Sequence, residues 1–301
     1  MSAHTHLRAV LALVAATAMW SIAGVVTRHL HVHDGLVLVF WRSGFAAVSV
    51  LVLLLWRQGA GALARDLREG SALLWLSGLF WAVMFTAFMV ALTMTTVAQT
   101  LIVESLSPLL AALLGWAVLR QPLPARTWAA IAAAMVGMGW IVWHDLKFAA
   151  DARQLLGMAV ALAVPLAAAA NWVSLRRAGH GVPMQPALMI GGTLSALVVA
   201  VPASPLGVDA HDLFWLAVLG ALQLAVPGLL AVWAAQRLAP AEVGLLGLLE
   251  VVFGTLWAWI GAGETPPAST LIGGTLVLAA LVGNEAFGWH RARYGRQRTP
   301  A

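Results

Sequence analysis

Hydrophobic residues occur along the chain in long runs that are separated by short polar segments. A helix needs about 20 mostly apolar residues to cross the roughly 30 Å hydrocarbon core of a membrane. Ten runs approach or exceed this length, and the segments between them are too short to hold a soluble domain. The pattern therefore predicts an all-α polytopic membrane protein with ten transmembrane helices. The predicted spans are residues 8–28, 36–56, 72–94, 97–119, 124–144, 154–175, 184–203, 213–236, 241–262 and 268–289.

The charged residues lie mainly between these runs, and their distribution predicts an orientation. With the N-terminus placed inside, the inner segments hold 13 Lys and Arg residues and the outer segments hold three. Cytoplasmic loops carry an excess of Lys and Arg, so both termini are expected to be cytoplasmic, with residues 291–301 forming a basic tail. Residues 7–18 also fit a signal peptide. However, the apolar run continues to Val26, which favours an uncleaved span.

Composition narrows the class of protein further. Hydrophobic residues make up 61% of the 301 residues and charged residues only 10%, too few to cover a soluble domain of this size. The net charge of +5 is explained by the loops and the tail, so no nucleic-acid partner is predicted. The absence of Cys excludes disulfides, zinc-thiolate sites and Cys nucleophiles. The preference for Arg over Lys and the abundance of Ala suggest a bacterial source, and hence an inner-membrane location.

The two halves of the chain resemble each other weakly. Because five helices per half is an odd number, duplicated halves must insert in opposite senses, as in many secondary transporters. We therefore predict a first five-helix repeat at residues 1–146 and a second at residues 150–290. A shift of 143 residues aligns Ala98 with Ala241, Leu106 with Leu249, Trp116 with Trp259, Pro124-Ala125 with Pro267-Ala268, and Thr127 with Thr270.

Several short motifs occur at characteristic places in these spans. The first half contains Trp20-Ser21, Phe40-Trp41-Arg42, Ala91-Leu92 and Leu106-Ser107-Pro108. The second half contains Leu248-Leu249-Glu250, Gly263-Glu264-Thr265-Pro266 and Gly273-Gly274-Thr275.

With these motifs the chain resembles the EamA-type transporters of the drug/metabolite transporter superfamily over nearly its whole length. The resemblance implies ten helices in two inverted five-helix repeats and, for many members, export of amino acids or other metabolites. Three positions depart from the family pattern. Ser21 replaces a glycine, Val251 stands where proline often follows the glutamate, and Arg120-Gln121 replaces Gly-Glu. The resemblance therefore does not fix a substrate.

Three ionisable residues lie deep in predicted spans, where a charge costs about 2.5–3.5 kcal/mol. Glu250 lies about nine residues into its span, roughly 13 Å deep. Glu250 and Glu104 either face a cavity, to meet a cation or carry a proton, or bond to a neighbouring helix while protonated. Arg42 either binds a substrate carboxylate, extends towards the interface, or pairs with Glu104 as a structural contact.

Aromatic and amide side chains inside the spans form a second set of candidates for a substrate-binding cavity. Tryptophans with a few amides suit an amphipathic solute such as an amino acid. The alternative is that these side chains only pack between helices. The set comprises Trp20, Trp81, Asn171, Trp172 and Gln223.

No metal, cofactor or catalytic site is predicted. His29, His31 and His33 alternate in the first outer loop, but three histidines on one short loop seldom converge on an ion. Signatures of phosphate-binding loops, zinc proteases and serine hydrolases are absent from the sequence.

The sequence therefore predicts a secondary transporter in contact with lipid and a small-molecule substrate. Export of amino acids or similar metabolites by alternating access is the leading hypothesis. A cationic-drug exporter that uses Glu250 as counter-charge, and a membrane enzyme or scaffold, are the alternatives. Oligomeric state, direction and proton coupling are left open by the sequence.

Overall fold

The computed structural model describes residues 3–23, 26, 30–32, 34–94, 100, 103–120, 122–145, 152–262 and 268–294. Within these ranges the backbone is helical apart from turns and short loops, and it forms no strand. A helix lies at each of the ten predicted spans. The helices are α1 (Ala3–Trp20), α2 (Gly35–Arg68), α3 (Ala72–Met94), α4 (Ser107–Leu119), α5 (Ala125–Asp145), α6 (Ala152–Ala178), α7 (Pro186–Ala203), α8 (Ala210–Ala235), α9 (Pro240–Gly247 and Leu249–Ala262) and α10 (Ala268–Tyr294).

Five of the described helices are long and apolar enough to cross a membrane by length and composition alone. They are Gly35–Arg68, Ala72–Ala91, Leu155–Ala178, Pro186–Ala203 and Ala210–Ala235. The apolar segments Ser107–Leu119 and Leu271–Asn284 are shorter. The predicted span 97–119 begins largely in residues that lie outside the described ranges, so the structure describes only its later part as α4.

Helix α2 extends further than its apolar run. Its start is fixed by Asp34, whose carboxylate accepts a hydrogen bond from the backbone N–H of Leu36 at 2.8 Å. The predicted span 36–56 covers only part of this helix, since the helix continues to Arg68 after a bend at Gly59, where φ is +78°. Residues 60–68 are mostly Ala, Leu and Arg, which favour helix without being apolar enough to count as a span.

The helices pack as two related halves, α1 to α5 and α6 to α10. Helix α3 packs against α6 as α8 packs against α1, and α3 contacts α7 as α8 contacts α2. Helix α4 contacts α6 as α9 contacts α1. The remaining large contacts pair equivalent helices with each other: α2 with α7, α4 with α9, and α5 with α10. Helices at equivalent positions in the two halves therefore make equivalent contacts. This pattern is expected when a pseudo-two-fold axis relates the halves.

Small residues allow the halves to approach closely along this axis. A Cβ atom on Gly192 of α7 would lie 2.7 Å from the carbonyl oxygen of Ser43 in α2. A Cβ atom on Gly220 of α8 would lie 2.7 Å from the carbonyl oxygen of Arg42. Because both neighbours are backbone atoms, they cannot move aside as a flexible side chain could. These glycines therefore set the distance of α7 and α8 from α2.

Buried hydrogen bonds add specificity to this packing. The hydroxyl of Ser195 in α7 lies 3.1 Å from that of Ser43 and 2.9 Å from that of Thr86 in α3. The Thr127 hydroxyl of α5 donates to Oδ1 of Asn284 in α10 at 3.1 Å. Each contact joins one half to the other, so hydrogen bonds as well as apolar contacts hold the halves together.

The Gly192→Ala variant tests the close contact of α2 with α7. We expect a loss of about 1–3 kcal/mol in the free energy of unfolding, because the added methyl group overpacks a backbone contact. Thermal unfolding of the purified protein in detergent measures the change. Gly44→Ala is the matched control, since a Cβ atom there meets nothing within 4 Å. Equal stability of both variants with the unmodified protein would contradict the contact.

Candidate functional site

A cavity of about 150 Å³ lies between the two halves of the bundle. Its walls come from α1, α2, α3, α4, α6, α8 and α9, together with the segment that precedes α4. Both repeats therefore contribute to one cavity. The lining residues are Leu13, Trp20, Arg42, Trp81, Met84, Phe85, Phe88, Glu104, Ser105, Ser107, Val164, Ala168, Trp172, Gln223, Leu224, Val243, Gly244, Gly247, Leu248 and Glu250.

Seven of the eight predicted binding residues line this cavity. The exception is Asn171, which is fully buried and accepts a hydrogen bond from the Ser77 hydroxyl at 2.6 Å. Consecutive residues of an α-helix point about 100° apart, so Trp172 faces the cavity while Asn171 is directed at α3. Of the two roles that the sequence left open for Asn171, the structure has the packing contact, which is a polar link between α3 and α6.

An aromatic wall forms one side of the cavity. The ring of Trp81 in α3 lies at its centre, 6.4 Å from the ring of Trp20 and 5.6 Å from that of Trp172. Phe85, one turn further along α3, lies 5.5 Å from Trp81. Trp81 is 3% exposed, and its indole N–H has no partner among the described residues. The wall thus offers a large apolar surface and one free hydrogen-bond donor.

Three ionisable side chains complete the polar part of the cavity: Arg42, Glu104 and Glu250. Arg42 is 4% exposed, and its Nε atom is buried with no partner in the described part of the chain. Its charge acts on Glu250, yet no ion pair within 4.0 Å joins the guanidinium to either carboxylate in the residues described. The direct salt bridge with Glu104 that the sequence left open is thus not formed.

Both glutamates lie beside an interruption in their helix. Ser105 and Leu106 form a turn between helical Glu104 and the start of α4. In the second repeat, Leu248 separates the two segments of α9, two positions before Glu250. Position 248 is equivalent to position 105 under the shift of 143 residues found in the sequence. The interruption is therefore a feature of the repeat, and it brings ionisable groups next to backbone that is not fully paired.

Helix α8 contributes Gln223 from a π-helical turn, Leu219–Ala225. Its amide Nε2 donates to the carbonyl of Trp20 at 3.0 Å, while Oε1 is buried without a partner in the residues described. The backbone N–H of Val226 bonds to the carbonyl of Ala221, five residues earlier. Pro227, which follows this turn, has no N–H to pair with the carbonyl of residue 223. Turns of this kind are frequent at functional sites.

The other lining residues were not predicted from the sequence. Ser105 and Ser107 carry a recognisable signal, because they flank the start of a helix that is opened by Pro108. Gly244 packs against Pro108 and also lines the cavity. The apolar members, such as Leu13 and Val164, are indistinguishable in sequence from lipid-facing residues of the same helices.

Comparison with known protein families decides the class of this bundle. The model described as the EamA-like transporter family matches residues 7–143 and again residues 155–284. The chain belongs to the EamA-like transporter family. This protein is therefore a multi-pass membrane transporter, and the two matched segments correspond to the two halves of the bundle.

A solved structure supports the fold of this EamA-like protein. Its title reads "Crystal structure of protein", and it superposes with a TM-score of 0.75 over 97% of this chain and 99% of that chain. Sequence identity is 16%, so the likeness concerns the fold alone. No curated protein sequence matches the chain significantly.

Single-cysteine variants test whether the cavity of this EamA-like protein is reached by water. The chain has no Cys, so a new thiol is the only one to label. We expect Gly247→Cys to react with a small charged methanethiosulfonate at least about tenfold faster than Ala234→Cys, because only an accessible thiolate reacts. Gly247 lines the cavity and has open space at Cβ, whereas Ala234 is 0% exposed and lies outside it. Equal rates, measured by mass spectrometry, would contradict a solvent-filled cavity.

Proposed function

We propose that this protein is a secondary transporter of a bacterial inner membrane that exports amino acids or similar amphipathic metabolites by alternating access. The observation that carries the proposal is the composition of the cavity, which combines one guanidinium, two carboxylates and an aromatic wall. A zwitterion with an apolar side chain complements all three features.

The polar groups suit the two charges of an amino acid. A guanidinium binds a carboxylate through two parallel hydrogen bonds, and Arg42 has a buried N–H without a partner in the described structure. Glu250 or Glu104 offers a carboxylate to the substrate ammonium. Trp20, Trp81 and Trp172 then face the side chain, where they exclude water and stabilise nearby positive charge.

The size of the cavity favours a small solute. Drug-sized ligands occupy sites of about 300–1,000 Å³, whereas this space is about 150 Å³. A larger cationic compound would require the helices to separate. The excess of two carboxylates over one guanidinium is the single feature that favours the alternative, a cation exporter that uses Glu250 as counter-charge.

Alternating access is supported by the placement of the cavity on the pseudo-two-fold relation of the halves. Repeats related in this way exchange conformations around a central site, so that the site opens to each side in turn. The interrupted helices α4 and α9 meet each other at this site. The excess of positive charge on one face supports cytoplasmic termini, and the direction of transport rests on the family resemblance. We assign the protein no enzymatic role.

Flux measurements in liposomes test the proposal. Purified protein is reconstituted with unlabelled amino acids inside, and entry of labelled amino acids by exchange is followed for a panel of aromatic, branched and polar side chains. We expect exchange for at least one apolar amino acid and none in protein-free liposomes. Absence of exchange across the whole panel, with a monodisperse folded protein, would overturn the proposed substrate class.

The Arg42→Gln variant tests the role of the guanidinium. We expect exchange of an apolar amino acid such as phenylalanine to fall about tenfold or more, as loss of one charge-assisted hydrogen bond of about 1.5–3 kcal/mol predicts. Phenethylamine, which lacks the carboxylate, should lose much less if it is carried. Arg57→Gln is the control, because Arg57 lies exposed on the same helix. An equal loss for both solutes would contradict recognition of the carboxylate by Arg42.

The Glu250→Gln and Glu104→Gln variants test proton coupling. If one carboxylate carries the proton and the other binds the substrate ammonium, replacement of the first should abolish transport driven by an imposed pH gradient while amino-acid exchange without a gradient persists. Replacement of the second should reduce both. Flux assays with and without the gradient separate the two. Glu69→Gln, at an exposed position after α2, serves as the control. Undiminished gradient-driven transport in both variants would exclude these carboxylates as the proton carrier.

A further inference from the structure

A second group of polar side chains lies away from the cavity, where the loop before α2 meets the start of α8. It consists of His31 from the first repeat and Asp209, His211 and Asp212 from the second. One nitrogen or oxygen atom of each residue lies within 4.8 Å of the corresponding atoms of the other three. The four residues are brought together only by the fold, since His31 and Asp212 are 181 positions apart in sequence.

These side chains are held in place by specific contacts. Nδ1 of His31 lies 2.9 Å from Oδ2 of Asp209, and Nδ1 of His211 lies 3.2 Å from Oδ1 of Asp212. The imidazole rings of His31 and His211 stack at 4.9 Å with an angle of 20° between their planes. The Trp215 indole N–H donates to Nε2 of His211 at 3.1 Å, so the neutral ring carries its proton on Nδ1, 3.2 Å from Oδ1 of Asp212.

Asp212 is the anchor of the group. Its side chain is completely buried, and it accepts hydrogen bonds from the backbone N–H groups of His31 at 3.0 Å and Val32 at 2.8 Å. Asp209 caps the helix by accepting from the backbone N–H of Asp212 at 2.7 Å. Both carboxylates are thus fixed before any ligand arrives, which lowers the entropic cost of binding.

We propose that His31, Asp209, His211 and Asp212 form a binding site for a divalent transition metal ion, with zinc as the favoured ion. Imidazole nitrogens and carboxylate oxygens are zinc ligands, and a tetrahedron with bonds of 2.0–2.1 Å places its donor atoms about 3.3 Å apart. Three of the separations here are 2.9, 3.2 and 3.9 Å. Small side-chain movements therefore bring all four donors to one ion, and Nδ1 of each imidazole must be unprotonated when it binds. For His211 the proton then moves to Nε2, and the hydrogen bond from Trp215 is lost.

Charge and access also fit an ion of this kind. Two carboxylates beside two neutral imidazoles carry a charge of −2, which a single divalent cation balances. His31, Asp209 and His211 have side chains that are 69, 52 and 46% exposed, so an ion reaches the site from solution. Magnesium and calcium prefer sites made of oxygen alone, whereas imidazole favours zinc and its neighbours in the transition series.

A bound ion at this place joins the two repeats. It connects the loop before α2 to the first turn of α8, next to a direct link in which the Trp41 indole N–H donates to the carbonyl of Pro205 at 3.1 Å. The distribution of Lys and Arg assigns this end of the bundle to the outer face. Zinc binding should therefore stabilise the fold and hold the halves together at that face.

Metal titration of the intact, chelator-treated protein in detergent tests the proposal. We expect one equivalent of zinc to bind by calorimetry and to raise the melting temperature, while magnesium and calcium do neither. The variants His31→Asn and His211→Asn retain a hydrogen-bond donor near the position of Nδ1 but lose the metal ligand. Their zinc affinity should fall at least about tenfold, because even outer-shell changes cost that much. Cobalt in place of zinc should give the visible absorption of a tetrahedral site.

The control is His180→Ala, which removes an exposed histidine near the opposite ends of the helices. It should bind zinc as the unmodified protein does. Binding that is unchanged in His31→Asn and His211→Asn, or lost equally in His180→Ala, would assign the zinc to surface histidines and overturn the site. Absence of any stoichiometric zinc binding would overturn it as well. None of these outcomes depends on the transported substrate.

Discussion

A guanidinium and two carboxylates can lie inside a lipid-spanning bundle only where protein or water surrounds them. At the centre of a helix that faces lipid, each would cost several kcal/mol. Arg42, Glu104 and Glu250 meet this constraint together, because all three border one cavity enclosed by helices of both repeats. The arrangement of the helices follows from this constraint, because apolar surfaces must separate the three ionisable side chains from lipid.

The helices around the cavity are held together by close contacts at small residues and by buried hydrogen bonds. Apolar attraction contributes less, because it is weak between helices in lipid. Gly192 and Gly220 let α7 and α8 approach the backbone of α2. Ser43, Thr86 and Ser195 link three helices by their hydroxyl groups. Such contacts fix distances and register, and the aromatic wall around Trp81 can then be positioned against the ionisable residues.

The helices and part of the candidate site could be predicted from the hydrophobic pattern and from the free-energy cost of burying a charge. Ten apolar runs predicted helices at the correct places. The free-energy cost of burying a charge made Arg42, Glu104 and Glu250 candidates, and only the structure shows that all three line the cavity. The side of a helix that faces the cavity could not be predicted in the same way. Asn171 and Trp172 are neighbours of similar burial, yet only the tertiary contact with Ser77 shows which of them faces away from the cavity.

Two further features were beyond the sequence for physical reasons. The continuation of α2 to Arg68 lies outside the membrane pattern, so a search for apolar runs ends too early. The convergence of His31 with Asp209, His211 and Asp212 depends on two loops that meet only after the bundle has formed. The other two histidines of the first outer loop, His29 and His33, lie outside the described residues.

The wide turn of α8 has a consequence for the symmetry of the molecule. Its counterpart in the first repeat, α3, runs as an unbroken α-helix from Ala72 to Met94, so the halves differ at one of the walls they share. A perfectly duplicated transporter would have inward-open and outward-open forms of identical energy. An irregularity carried by one half alone removes that degeneracy. For the alternating-access transport proposed above, the resting population is then set by the protein itself, before any solute gradient acts on it.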